Sequence, residues 1–332
     1  MKQFLFLLLF ATLSFNANSQ EEALKGGGND ERGSSEVIDE VTYNVVSKFP
    51  VNILHSYTLN IKSDVVRTYS DGSKYDYTRD VTYDMSYKAI KFPKEGKQYI
   101  SVKIDSMLYH FKDSKKEVAY NSMDMDANPP LQYIDFENHS IPLGAEFDMV
   151  YSPYNDIVEL SSDYIKKKVD YINDPDLGIK DTLKNYRWNH YLSSEHLKMH
   201  ADVHRGLIPT GRVSEDTTWN DYTFFELEGI KFMDSVNVTF KDYTVRNYVL
   251  EAEAHRIIPS NQKVVLQGID HFGEVLSADG TAKYTLKINP YGTVNEMLAV
   301  YDITAKIKVR NEEFTQDMKT TMRWSLDGMW KW

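Results

Sequence analysis

From Tyr75 to Ala89 the odd positions carry Tyr75, Tyr77, Arg79, Val81, Tyr83, Met85, Tyr87 and Ala89, while Asp76, Thr78, Asp80, Thr82, Asp84, Ser86 and Lys88 fill every even one. Alternation at period two puts one set of side chains on each face of a strand and is incompatible with a helix, whose apolar stripe repeats every three to four residues. At about 3.3 Å per residue the run reaches roughly 50 Å, far beyond the common strand of about five or six residues. A strand that long twists and curls, which favours a bent, partly closed sheet over a compact sandwich. The stretch before it also sets Tyr57, Leu59, Ile61, Val65 and Tyr69 on odd positions, so two strands flank the turn Ser70-Asp71-Gly72-Ser73. Residues opposite one another in a hairpin share a face, so odd must pair with odd. A two-residue Asp71-Gly72 loop breaks that parity, whereas a three-residue loop, Asp71 to Ser73, keeps it and predicts Tyr69 opposite Tyr75.

The same alternation continues at Ile100, Val102, Ile104 and Leu108, returns at Ile303, Ala305, Ile307 and Val309, and ends with Met318, Met322, Trp324 and Leu326, after which Asp327-Gly328 reads as a turn. The middle differs. Leu192, Met199, Val203 and Leu207 recur at helical spacing, Ser193 or Ser194 suits the N-cap, and Gly206 with Pro209 suits the end, which predicts a helix over 194–205 that Asp181 to Tyr191 extends upstream. Residues 147–160 align without gaps against 284–297, each as strand, Pro-Tyr-Asn or Pro-Tyr-Gly turn, strand. The expected architecture is therefore mainly β: two related antiparallel curved sheets, half-barrel or open-barrel like, over 37–162 and 213–332, joined by a helix-containing connector over 163–212.

Lys2, the apolar run from Phe4 to Phe10 and the small polar stretch Asn16 to Ser19 follow the order of a secretory signal peptide over 1–19. The apolar part is about a dozen residues, short of the roughly 20 that span a bilayer. Gly26-Gly27-Gly28 and Gly33-Ser34-Ser35 mark 20–36 as a flexible leader. The mature chain is expected to be exported, periplasmic or extracellular, with no transmembrane segment. It holds no cysteine, so its core must stabilise it without disulfides. A formal charge of −11, with Lys166 to Lys168 as the one basic run, excludes nucleic acid as a partner, because phosphate binding needs clustered cations.

In order along the chain stand Ile104-Asp105-Ser106, Tyr120-Asn121-Ser122, Pro129-Pro130-Leu131, Gly144 with Phe147 and Met149, Ser152-Pro153 with Ile157-Val158-Glu159, Leu197-Lys198, and Leu207-Ile208-Pro209 leading through Val213 to Trp219. This succession, over most of residues 50–310, resembles an uncharacterised domain-of-unknown-function family of exported, β-rich bacterial envelope proteins. Where such families often have Gly-Asp-Ser-Trp, this chain has Asp216-Thr217-Thr218-Trp219. The resemblance implies fold and location and supplies no reaction.

No catalytic residue and no cofactor are indicated. Gly-x-Ser-x-Gly and the glycine-rich phosphate loops are missing, and any carboxylate pair among the 49 acidic residues is a spatial property. His190, His196, His200 and His204 cluster, and histidines at i and i+4 such as His196 and His200 are able to share one metal ion. The zincin pattern needs a glutamate where Leu197 stands, so Glu195 or a distant carboxylate would have to complete the set; a solvated face rich in His and Lys accounts for the same spacing. No metal is therefore assigned. Tyr75, Tyr77, Tyr83 and Tyr87 read as core, whereas Tyr151, Tyr154 and Tyr291, beside predicted turns, are the candidate ligand contacts. The expected function is a non-enzymatic envelope protein that binds an apolar or amphiphilic ligand on its curved sheet. The alternatives are a carbohydrate-binding or surface-interaction module and a metal-assisted hydrolase. The corresponding partners are a hydrophobic small molecule, a glycan or another envelope protein.

Overall fold

The computed structural model describes residues 41–331 except 153–155 and 268; the expected signal peptide and leader lie outside the described residues. The first half runs β1 (Ile53–Tyr69), β2 (Lys74–Lys94), β3 (Lys97–Asp113), β4 (Glu117–Asn121), α1 (Ile134–Ser140), β5 (Glu146–Tyr151) and β6 (Ile157–Ser161). The connector holds α2 (Asp163–Ile172), α3 (Thr182–Tyr191) and α4 (Ser194–Ala201). The second half runs β7 (Thr218–Leu227), β8 (Ile230–Tyr243), β9 (Tyr248–Pro259), β10 (Lys263–Val265), β11 (Phe272–Ile288), β12 (Val294–Val309) and β13 (Glu312–Lys331).

The protein is mainly β and antiparallel, and the long strands are there: β2 alone has 21 residues. The two expected sheets are one. Their order is β6-β5-β3-β2-β1-β13-β12-β11-β9-β8-β7, with β4 on β3 and β10 on β11, and β6 and β7 stay as unjoined edges. The seam between the halves vanishes because β1 and β13 pair along their whole length, from Ile53 opposite Lys331 to Tyr69 opposite Phe314. Both strands carry an apolar face, and pairing them buries Tyr57, Leu59 and Ile61 beside Trp324 and Met322 in one continuous core. Each such fully buried side chain contributes on the order of 1.5–3 kcal/mol.

The β1–β2 hairpin keeps odd opposite odd, but its register is shifted by two: Arg67, not Tyr69, faces Tyr75. The loop does have three residues, Ser70 to Gly72, closed by Gly72 N–H donating to Tyr69 O and Tyr69 N–H donating to Ser73 O, both at 3.0 Å. Gly72 takes φ +83°, the left-handed position that ends a three-residue loop, and glycine alone occupies it without strain. Asp327-Gly328 is likewise no turn. Ser56 pairs with Gly328 and Tyr57 with Leu326, so Asp327 is the extra residue of a bulge inside β13, where its carboxylate accepts from Thr58 Oγ1. The helix expected over 194–205 is capped by Ser193, whose hydroxyl accepts from His196 N, but stops at Ala201, because Asp202 already turns extended (φ −80°, ψ 91°). Asp181 caps α3 separately, and Leu192 breaks the two helices apart.

The hairpins β5–β6 and β11–β12, whose sequences align, share their geometry. Val150 faces Glu159 and Tyr151 faces Ile157; Lys287 faces Glu296 and Ile288 faces Val294, with the ladder skipping one residue at the same place. Ser152 N–H donates to Asp156 O at 2.8 Å and Asn289 N–H to Thr293 O at 2.9 Å, again equivalent positions.

The even residues of β2, Asp76 to Lys88, form the polar outer face, and Thr304, Lys306 and Lys308 do the same on β12. A strand facing lipid carries apolar residues there, so this face is built for water. Among the described residues no helix is long and apolar enough to cross a membrane. The inner face is filled by the helices and by the segment before β1. Tyr87 Oη donates to Ala201 O at 3.0 Å, Tyr83 Oη to His139 O at 2.8 Å and Trp324 Nε1 to His200 O at 2.8 Å.

His55 is fully buried there between the rings of Phe49 and Tyr57. Burial disfavours its cation and lowers its pKa to about 4. An unfolded chain protonates histidine near 6.5, so this contribution is complete above pH 6.5 and drains away as pH falls through 4, at about 1.4 kcal/mol per unit. Between pH 7 and pH 4.5 the wild type should therefore lose roughly 2.5 kcal/mol more than a His55→Phe variant. Urea unfolding at the two pH values checks this; equal losses in both proteins would remove His55 from the account.

Candidate functional site

The sheet does not close, and a pocket of about 600 Å³ opens between its edge strands β6 and β7, beside α4. Ile157 of β6, Met199 of α4 and Phe224 of β7 supply apolar wall, with Phe232 of β8 behind them. Alternation along β7 sets this up. Thr223, Phe225 and Leu227 turn inward and are buried, which leaves Tyr222 and Phe224 on the other side, 61% and 56% exposed. Lys198, Arg205 and Asp202 place charge around the apolar part. Arg205 is fixed: its Nη1 donates to Phe224 O at 2.7 Å, and its guanidinium lies 4.6 Å over the Trp324 ring. Lys231 is tied to Glu195. Burial together with Asp202 raises the pKa of Asp156 at the rim. A volume of this size suits a small organic molecule.

A second, polar cavity of about 50 Å³ lies beneath α1, α3 and α4. Arg79, on the inner face of β2, donates to Asp135 at 2.8 Å and to Glu228, while Tyr109 and Tyr77 hydroxyls donate to the same two carboxylates. Glu228 reaches Arg79 because β7 and β8 are joined by the two-residue turn Glu228-Gly229, both at positive φ (+54° and +80°), the mirror-image turn that matches strand twist. A glutamate held left-handed costs about 1–2 kcal/mol, which the buried ion pair offsets. Burial opposes the charge on Arg79, but Asp135 and Glu228 outweigh it and hold the guanidinium ionised.

Next to this network stands a histidine–carboxylate cluster. Glu226, on the same face of β7 as Phe224, has Oε1 2.8 Å from His190 Nε2 and Oε2 3.1 Å from His196 Nδ1. All three side chains are nearly buried, with 5–8% of each exposed. Burial pushes the Glu226 carboxyl up, but His190 and His196 reverse this and hold it well below the usual range. Burial lowers the pKa of His196, lowers that of His200 to about 3, and holds that of His139 well below its ordinary value.

Of the residues singled out in the sequence, His196 is in this cluster and His200 is not: its Nδ1 donates back to His196 O at 3.0 Å within the helix. His190 takes its place, and the distant carboxylate is Glu226 rather than Glu195. Tyr151 is a correction: it is fully buried against Phe49 and His204, because it lies on the inward face of β5. Tyr154 lies outside the described residues, and Tyr291 is 86% exposed at the β11–β12 turn. Sequence reasoning missed Tyr222 and Phe224, and also a cluster of tilted rings, Tyr43, Tyr243 and Tyr248, with centroids 4.9–5.9 Å apart.

No protein-family model and no curated protein matches the sequence. Solved structures that align with the chain include lipovitellin, in a study of its lipid–protein interactions, at 7% identity and a TM-score of 0.42, covering 86% of this chain and 26% of that one. An outer membrane channel from Pseudomonas putida F1 aligns at 8% identity and a TM-score of 0.28, over 86% of this chain and all of its own. Salmonella typhi OmpF, in complex with daunomycin, aligns at 6% and 0.21, over 81% and 97%. The chain thus spans about a quarter of the lipovitellin chain.

Proposed function

We propose that the protein is an exported, non-enzymatic binding protein that holds a small amphiphilic molecule in the pocket where its sheet fails to close. The observation that carries this reading is the 600 Å³ seam itself, walled by Phe224, Met199 and Ile157 and rimmed by charge. The inner face of the sheet is packed with helices, so the seam is where an apolar tail finds space beside a polar rim. Tyr222 and Phe224 lie exposed along it, an arrangement that water disfavours and an apolar ligand repairs. The family resemblance, and a duplication of the hairpin β5–β6 as β11–β12 supported by their shared bulge, fit an envelope protein built by repetition.

The test is a fluorescence titration with dansylaminoundecanoic acid, an amphiphile with a fluorescent body. The wild type should bind it saturably, and the double variant Tyr222→Ala/Phe224→Ala should bind at least about tenfold more weakly, the equivalent of about 1.4 kcal/mol. Both side chains are exposed, so thermal unfolding should barely move. Non-saturable binding, or equal affinity in the two proteins, would refute the reading.

A further inference from the structure

We infer that His190, His196 and Glu226 form a binding site for one zinc ion that ties α3 and α4 to the edge strand β7. One ligand atom from each of the three lies within 4.8 Å of the others. Two imidazoles and a carboxylate are a donor set that a borderline divalent ion prefers, and zinc takes them at about 2.0–2.2 Å, with ligands then about 3.3 Å apart. The 2.8 and 3.1 Å separations from Glu226 to His190 and His196 are already close to that spacing. Modest shifts of the side chains would replace two hydrogen bonds by three metal bonds.

Independent observations call for a cation here. Asp135, Glu226 and Glu228 line the polar cavity, yet among the described residues that line it Arg79 is the only one bearing a permanent positive charge. Arg79 is occupied by Asp135 and Glu228, which leaves the buried Glu226 with histidines alone. A metal ion shared with the two histidines would give that buried carboxylate a permanent counter-charge. Two further acceptors on the cavity wall, Asn138 Oδ1 and Gln267 Oε1, have no donor among the described residues, and both residues are more than nine-tenths buried. A water completing the coordination of zinc supplies protons for such acceptors, and about 50 Å³ admits one. The three ligands come from three different elements, α3, α4 and β7. The ion therefore has a structural task, and it is separate from the seam pocket proposed for the ligand.

The measurement uses the full chain stripped with chelator and titrated with Zn²⁺ by calorimetry, then with Co²⁺ as a spectroscopic stand-in. Expected are one tight equivalent, visible Co²⁺ absorption of four-coordinate intensity, and a higher unfolding temperature with metal. Glu226→Gln, which keeps the shape and much of the hydrogen bonding, should lower affinity by about 100-fold, and His190→Gln should do likewise. His110, His255 and His271 lie outside the cluster, so binding that survives in both variants would be adventitious and would overturn the site. A folded wild type that takes up neither ion would overturn it as well. If one variant fails to fold without metal, the Co²⁺ spectrum of the wild type still decides, since exposed histidines give weak six-coordinate bands.

Discussion

Arg79→Met is expected to destabilise the protein by about 3–5 kcal/mol, the range for removing one partner of a buried ion pair. Arg79 is 7% exposed and is held by two buried carboxylates from different parts of the chain, Asp135 on α1 and Glu228 at the β7–β8 turn. Methionine fills the volume and leaves both carboxylates without a counter-charge, with Tyr77 and Tyr109 still donating to them. Urea unfolding at pH 7 measures the loss. The triple variant Arg79→Met/Asp135→Asn/Glu228→Gln should recover most of it, because the penalty lies in the orphaned charges and not in lost packing. A loss below about 1 kcal/mol in the single variant would mean that the network is solvated and contributes little.

Trp324→Ala should be as damaging, about 3–5 kcal/mol for a large aromatic removed from a closed core. The ring is fully buried on β13, Nε1 donates to His200 O, and the Arg205 guanidinium rests on its face. It thereby links the sheet to the end of α4 and to the floor of the seam pocket. Trp330, six residues further along the same strand and 53% exposed, is the control: its replacement by alanine should change stability by no more than about 0.5 kcal/mol. Similar losses from the two would contradict the placement of β13.

What the sequence shows and what it hides divide along physical lines. Every residue of Tyr75–Ala89 except the inward Arg79 declares its face by its own polarity, so the long strands and their inward tyrosines are readable one position at a time. Parity in the β1–β2 hairpin is readable for the same reason. The two-residue slip is not, because pairs two apart satisfy parity equally and only the left-handed Gly72 chooses between them. That two sheets are one could not be read either: an apolar face looks the same on a central strand as on an edge strand, and nothing near Tyr57 names Leu326 as its partner. In the candidate site His196 stands out through its spacing with His200, but Glu226 is hidden. It lies 30 residues away on β7, where aromatic residues on both faces, Tyr222 and Phe224 against Phe225, blur the alternation that marks other strands.

The pairing of β1 with β13 sets the order in which the molecule is able to assemble. The first and last strands of the fold are neighbours at the centre of its sheet. Until β13 arrives, one side of β1 is a 17-residue row of unmet backbone donors and acceptors, open to any other chain. Contacts this distant in sequence form late and slowly, on the millisecond-to-second scale or beyond, since the loop between them must be closed first. The two halves are thus able to collapse as separate meanders early, with the final strand acting as the clasp. The interval before it closes is the period in which the protein is most prone to aggregate.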